Sequence, residues 1–457
     1  MPNKRAKFDT WSFDEPVKSL STWNTLSNVD LSVKGPSFQS VKGFGLIFEC
    51  YYGSALVENE ARVNETLSIV IKETNNESES EPKAGSMTPT LRIKTMRFVG
   101  VALGKAEEVN HKTGTALGKA IASRCIDEAS SKVEKAMVHL PFRTFSPDFL
   151  KELSVAFYSS LYADQRFRGT LTSIKPSKVP AEHLKTLHMQ YNNGESLMTD
   201  DNVKAIEEGK QIAAGVYLAR DIVNAPHSVL NSLSLADLAR KIASESDGCL
   251  TCQILDKEEC EKRGMGAYLG VARASETPPQ FIHLTYSPPG KAKRKIGVVG
   301  KGLLFDTGGY NIKTATMELM KFDCGGAAAV LGAAKSISKV KPPGVECHFV
   351  VAACENMINA KGIVPSDVLV ASNGVTIEVL NTDAEGRLTL ADALVYCDQE
   401  LECEKIIELS TLTGACMVAL GKVRLFVCEY LYICLFICLI VYQLAAVRRL
   451  SEFWYFR

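Results

Sequence analysis

Excess charge is the first thing this chain lacks: of its 457 residues, 52 are Lys or Arg and 52 are Asp or Glu. No net field draws it to phosphate backbones or anionic lipid, so nucleic acid is not expected as a partner. An apolar leader is missing too. The chain opens Met-Pro-Asn-Lys-Arg-Ala-Lys and turns polar and aromatic at Phe8, Trp11 and Phe13, unlike the hydrophobic run of a secretory signal, and the expected location is cytoplasmic. Cysteine is present, but without a framework. The 14 cysteines lie at irregular spacing from Cys50 to Cys438, a pattern that fits reduced and often buried thiols. The C-x-x-C of Cys249 and Cys252 has no second pair at zinc-site spacing, and the sequons at Asn64 and Asn76 would matter only in a secretory pathway.

Several catalytic templates are absent. There is no G-x-S-x-G and no H-E-x-x-H, and Gly300-Lys301-Gly302 fits neither the dinucleotide nor the P-loop spacing. The seven histidines are scattered. His348 sits in an apolar run and is expected to be a hydrogen-bonded core residue rather than a ligand, and His227 a turn residue.

What is there is length and apolar content. At 457 residues and 46% hydrophobic composition, the chain exceeds the size at which one core stops growing, roughly 250 to 300 residues. Residues 43–52, 67–72 and 90–103 have the β-branched and aromatic content of strands, and 73–89 reads as a solvated loop around NNESESEP. Helical spacing occurs near 115–132 and 146–163, with KAMVHLP between them as a strand, and the apolar spacing of 201–223 marks a connecting helix that ends at Asn224-Ala225-Pro226. Strands are then expected at 281–286, 295–300, 347–354, 375–380 and 405–410, and helices at 323–338 and 387–399. This alternation predicts an α/β protein of two domains: a smaller N-terminal α/β domain and a larger C-terminal α/β catalytic domain with a largely parallel central sheet. The expected division is an extension at 1–40, the N-terminal domain at 41–200, the connecting helix at 201–225, the catalytic domain at 226–422 and a hydrophobic tail at 423–457.

Ligands of open α/β sheets bind beyond the carboxyl ends of the strands. Three segments put polar residues there: Gly300 to Lys313, with Asp306; Met320 to Gly326, with Asp323; and Asn381 to Arg387, with Asp383 and Glu385. Asp306, Asp323, Asp383 and Glu385 are the oxygen donors that a pair of hard divalent cations requires. Asp383 and Glu385 would share one side if the backbone remained extended past its strand. Taken singly, Asp323 is read as a helix cap or surface charge before a ligand, and Lys301 and Lys313 are by default surface lysines. Their clustering argues for a site.

The segments NTDAEGRL at 381–388, GKGLLFDTGG with NIK, and MKFDCGG resemble the leucyl aminopeptidase family, plant-type members above all, over about 200 residues from LARDIVNAP to TLTGACMVALG. The resemblance implies a metal-dependent aminopeptidase that releases leucine-like N-terminal residues from peptides. It implies two zinc or manganese ions, one held by Lys301, Asp306, Asp323 and Glu385 and the other by Asp306, Asp383 and Glu385. Lys301 would bind as the neutral amine, Lys313 would polarise the scissile carbonyl, and bicarbonate near Arg387 would accept a proton. Thr411, Leu412 and Gly414 would line the substrate pocket, and the assembly would be a homohexamer. A non-catalytic subunit that keeps its metals for structure, and a membrane-tethered peptidase, are the competing readings.

Two features depart from that pattern. The nine residues between Lys313 and Asp323 are slightly fewer than the family pattern suggests. After Gly421 the chain reads KVRLFVCEYLYICLFICLIVYQLAAVRRLSEFWYFR, in place of roughly another hundred residues of catalytic domain. Residues 425–447 qualify by length and flanking Arg448 and Arg449 as a membrane span. The expectation here is instead a translated intron, since codons for Val423-Arg424 can also spell a splice donor.

Overall fold

The computed structural model describes residues 30–32, 44–52, 70–71, 73, 82–93, 95–128, 132–141, 145–164, 166–167, 184–191, 197, 199–413 and 444–447. The chain divides into two compact units, Asn24–Tyr217 and Leu218–Arg457 with Met1–Trp23.

In the first unit, apolar runs form β1 (Asp30–Ser32), β2 (Leu46–Tyr51), β3 (Leu91–Ile93), β4 (Met96–Ala102), β5 (Lys135–Leu140) and β6 (Thr186–Tyr191), ordered β1-β6-β5-β2-β4-β3. All neighbours are parallel except the β3–β4 pair. Helices occupy His111–Asp127, capped by Asn110, and Pro147–Ser160, capped by Ser146 with a proline in the first turn. Of the strand expected at 67–72 only Val70 and Ile71 lie among the described residues, and they are helical, as is Glu73. Buried Ile71 lies where a side chain on Gly100 of β4 would stand, so this β-branched residue packs onto the sheet instead of extending it. The connecting helix runs Asp200–Asn224.

The second unit is built on β7 (Leu250–Leu255), β8 (Gln280–Tyr286), β9 (Arg294–Asp306), β10 (Val345–Asn356), β13 (Lys405–Leu409) and β14 (Leu444–Val447), ordered β14-β13-β9-β10-β8-β7. The expected parallel pairing holds at the centre, β13-β9-β10, and the flanks β7, β8 and β14 join antiparallel. Residues 375–380 do not enter this sheet. Their strand, β12 (Thr376–Glu378), pairs antiparallel with β11 (Val368–Val370) in a separate ribbon, and its exposed Thr376 and Glu378 explain why it does not suit a doubly covered sheet. Helices Gly325–Val340 and Glu385–Val395 follow β9 and β12, the latter continued by a π turn at Tyr396–Glu400. Val299, Leu303, Val350, Ala352, Leu388 and Ala393 pack in one core.

His348 is the core residue expected, with one ring nitrogen 2.9 Å from His283 and the other 2.9 Å from Glu346. His227 lies in a turn. Among the described residues no helix is long and apolar enough to cross a membrane. The 425–447 segment lies outside the described residues except for Leu444–Val447.

The helix Gly325–Val340 starts directly against the central strands. A Cβ on Gly326 would stand 2.0 Å from the Leu409 carbonyl oxygen and 2.7 Å from the Lys301 nitrogen, so only glycine permits that approach. Gly326→Ala is therefore expected to lower stability by about 1–3 kcal/mol. A thermal midpoint equal to that of the parent chain would contradict the close packing.

Candidate metal centre

β13 ends at Leu409, opposite Gly300 of β9, and β9 continues past it from Lys301 to Asp306. That overhang carries the site. Strand β9 is twice as long as 295–300 suggests because Lys301 to Asp306 alternate within it rather than follow it, paired to β10 through a register shift that sets Asn356 opposite Asp306. Asp323 follows the 3-10 helix Met317–Phe322. Its side chain caps nothing; both of its oxygens accept from Lys301 Nζ at 2.8 Å, and Oδ1 accepts from Thr411 Oγ1 at 2.6 Å.

The backbone does not stay extended through Asp383 and Glu385, so the two do not face one side. Residues Thr382–Ala384 form a 3-10 turn, and Glu385 opens the helix Glu385–Val395. The two carboxylates therefore part: Glu385 is buried and lies 3.0 Å from Lys301 Nζ, whereas the half-buried Asp383 lies 2.5 Å from Lys313 Nζ. Lys313 also reaches Asp306 Oδ2 at 2.9 Å. The result is two ammonium groups, each between a pair of carboxylates. Ligand oxygens of Asp306, Asp323 and Glu385 lie within 4.8 Å of one another, which joins the two halves. Gly386 makes room beside them, since a Cβ there would be 2.4 Å from Lys301 Cε.

The electrostatics follow from burial. Burial pushes the Glu385 carboxyl up to about 7 and outweighs the opposing pull of Lys301, while Asp306 and Asp323 push it further the same way. Asp323 is raised for the same reason. Burial alone would lower Lys301, but Asp323 and Glu385 prevail and hold it above the usual lysine range. Lys313 is likewise held at about 12 by Asp383 and Asp306 against its burial. The neutral Lys301 expected from the sequence needs the opposite direction, which additional positive charge in the site would supply.

The donor set suits such charge. Asp306, Asp323 and Glu385 are all buried with Lys301, and Glu385 Oε2 has no hydrogen-bond partner among the described residues. A buried oxygen of this kind is costly unless a cation or donor meets it. Of the other expected residues, Thr411 holds Asp323 and Leu412 lies beside Gly386. Arg387 is exposed in the first turn of its helix, and Gly414 lies outside the described residues.

Three supporting residues escaped the sequence reading. Asn356 Nδ2 donates to Asp306 Oδ1 at 2.7 Å and to the Thr382 carbonyl at 3.1 Å. Thr382 Oγ1 donates to the Gly308 carbonyl at 2.7 Å, and Asn311 Oδ1 accepts from the Thr382 nitrogen at 2.8 Å. Together they pin the turn carrying Asp383 and Glu385 to the end of β9. Asn356 ends β10; Thr382 and Asn311 lie within the NTDAEGRL and NIK segments, whose wording gives neither a role.

Buried carboxylates and paired lysines gathered beside the ends of parallel strands in an α/β unit are a donor set that suits divalent cations. The chain belongs to the cytosol aminopeptidase family and is a peptidase: sequence models of that family's catalytic and N-terminal domains match residues 217–429 and 47–170. It is 41% identical over 381 residues to a probable cytosol aminopeptidase of Thermosynechococcus vestitus, covering 82% of this chain and 73% of the relative. Identity to leucine aminopeptidase 1 of Arabidopsis thaliana is 43% over 385 residues, 81% of this chain and 70% of that one. A solved structure of a tomato leucine aminopeptidase mutant superimposes with a TM-score of 0.71 at 37% identity, covering 88% of this chain and 77% of that chain. Similar relatives are named both as cytosolic and as chloroplastic.

Because Asn356 orients Asp306 rather than contributing a carboxylate, Asn356→Ala should weaken binding of manganese about 10- to 100-fold in calorimetric titration. Unchanged affinity would remove it from the site's support.

Proposed function

We propose that this chain is a two-metal aminopeptidase that releases leucine-like residues from the amino terminus of peptides. One observation carries the reading: three buried carboxylates meet within 4.8 Å, with only Lys301 buried among them and one Glu385 oxygen unpartnered. Such a set is short of positive charge, and divalent cations provide it.

In this proposal Lys301, Asp306, Asp323 and Glu385 hold one ion and Asp306, Asp383 and Glu385 the second. When bound, a pair of zinc or manganese ions supplies an activated water and an electrophile for the scissile carbonyl. The chain's own groups do the rest. Asp306 Oδ1 is already engaged by the Gly308 nitrogen at 2.8 Å and by Asn356 at 2.7 Å, whereas Oδ2 meets only Lys313, at 2.9 Å, and is the oxygen that would turn to an ion. Lys313, kept protonated by its two carboxylates, can donate to the carbonyl oxygen as that atom gains charge. Arg387, exposed at the opening of its helix, would hold a bicarbonate that takes up the water's proton. Thr411, Leu412 and Gly414 would border the side-chain pocket, and homohexamer assembly belongs to the same proposal. The names leucine aminopeptidase and cytosol aminopeptidase carried by the relatives support this substrate class.

The test is release of p-nitroaniline from leucyl-p-nitroanilide by the purified chain, first stripped with a chelator and then given manganese or zinc. Release is expected only after metal is restored. Lys313→Ala should lower kcat by about 10²- to 10³-fold while leaving the metal content intact. Release by the stripped chain, or none with any divalent ion while circular dichroism reports a folded protein, would overturn the proposal.

A further inference from the structure

Outside the metal site, the second unit holds a pair of thiols that the peptidase reading does not use. Cys397 lies in the π turn Tyr396–Glu400, and Cys403 lies six positions later, two residues before β13. The turn closes on itself: the Cys403 nitrogen donates to the Cys397 carbonyl at 3.0 Å, and the Leu401 nitrogen to the Tyr396 carbonyl at 3.0 Å. Both sulfurs fall over Gly297 of β9, where an added Cβ would stand 3.2 Å from Cys403 Sγ and 3.4 Å from Cys397 Sγ. Both are free thiols. A direct backbone hydrogen bond and a shared place over one glycine bring the two thiols together, as a disulfide needs.

We propose that Cys397 and Cys403 are a redox modification site, a dithiol that a hydroperoxide converts reversibly to a disulfide. The two sulfurs differ in role. Cys403 is partly exposed and Cys397 fully buried. The neighbouring Cys397 thiol lowers the Cys403 thiol, against its burial and with help from Lys295, whereas Cys403 and then burial raise Cys397. Lys295 is fixed beside the turn by donating to the Leu401 carbonyl at 3.1 Å. The exposed, more acidic Cys403 is therefore the attacking group. Its thiolate takes one oxygen of hydrogen peroxide, the O–O bond breaks, and hydroxide leaves; sulfur is oxidised by two electrons to the sulfenic acid. The Cys397 sulfur then attacks the Cys403 sulfur, its proton leaves with the departing hydroxide as water, and the S–S bond forms. Two thiols and one peroxide yield one disulfide and two waters. A dithiol reductant reverses it.

The bond would tie the end of the helix that Glu385 opens to the start of the strand leading to Thr411, so it braces the second unit from the side opposite the ligands along those two elements. Cys347 is the competing partner, near enough for its thiol to be raised in part by Cys403.

Cleavage after Arg387 and Lys405 releases Leu388–Lys405, which contains Cys397 and Cys403 and no other cysteine. The full chain, reduced and then treated with hydrogen peroxide, should yield this peptide about 2 Da lighter and closed to alkylation, from loss of the two thiol hydrogens. Dithiothreitol should restore both reactive thiols. In Cys397→Ser, peroxide should leave Cys403 as a sulfenic acid that dimedone labels. Full alkylation of both thiols after peroxide, linkage of Cys403 to the Cys347 peptide, or no dimedone labelling of Cys397→Ser would overturn the proposal.

Discussion

The second unit is organised around uncompensated negative charge held out of water. Asp306, Asp323 and Glu385 are buried together with a single buried lysine, an arrangement that ordinary folding disfavours, because removing carboxylates from water costs several kcal/mol each unless charge and hydrogen bonds meet them. The surrounding structure accordingly meets them from several directions. Lys301 spans Asp323 and Glu385, Lys313 spans Asp306 and Asp383, and Thr411, Asn356 and the Gly308 nitrogen take up individual oxygens. What is left over is an unpartnered oxygen on Glu385, the place where a proposed cation would be met.

The fold makes that concentration possible through staggered strand lengths. Because β13 stops opposite Gly300 while β9 and β10 continue, the end of the sheet is a step. The helix beginning at Gly325 and the turn at Thr382–Ala384 bring side chains onto that step. Glycines at positions 326 and 386 let backbone and the Lys301 stem approach where any Cβ would collide. The antiparallel flanks and the β11–β12 ribbon lie outside this arrangement, which explains why a mixed sheet serves as well as a wholly parallel one. The parallel centre alone supplies the crevice.

Much of this was legible in the sequence, for identifiable reasons. Long buried strands such as β10 announce themselves through apolar runs, and the carboxylates stood out because they gather in short glycine-rich polar segments. Ile71 misled because a β-branched residue reports burial more than backbone shape. The 3-10 turn at Thr382–Ala384 was missed because alternation two residues apart looks the same whether the chain extends or coils before entering a helix. Asn356, Asn311 and Thr382 were invisible because their roles depend on partners 26 to 74 positions away, and no local pattern encodes such a pairing. The direction of the Lys301 shift depends on what occupies the site, a matter of charge balance that residue spacing cannot express.

The most direct measurement is anomalous diffraction at the manganese edge from crystals of this chain grown with manganese. The account expects two peaks about 3.5–4 Å apart, one within ligand distance of Lys301, Asp306, Asp323 and Glu385 and the other of Asp306, Asp383 and Glu385. A well-ordered site with no anomalous peak among these residues, or with Lys301 still bonded to Asp323 and Glu385 at saturating manganese, would contradict it.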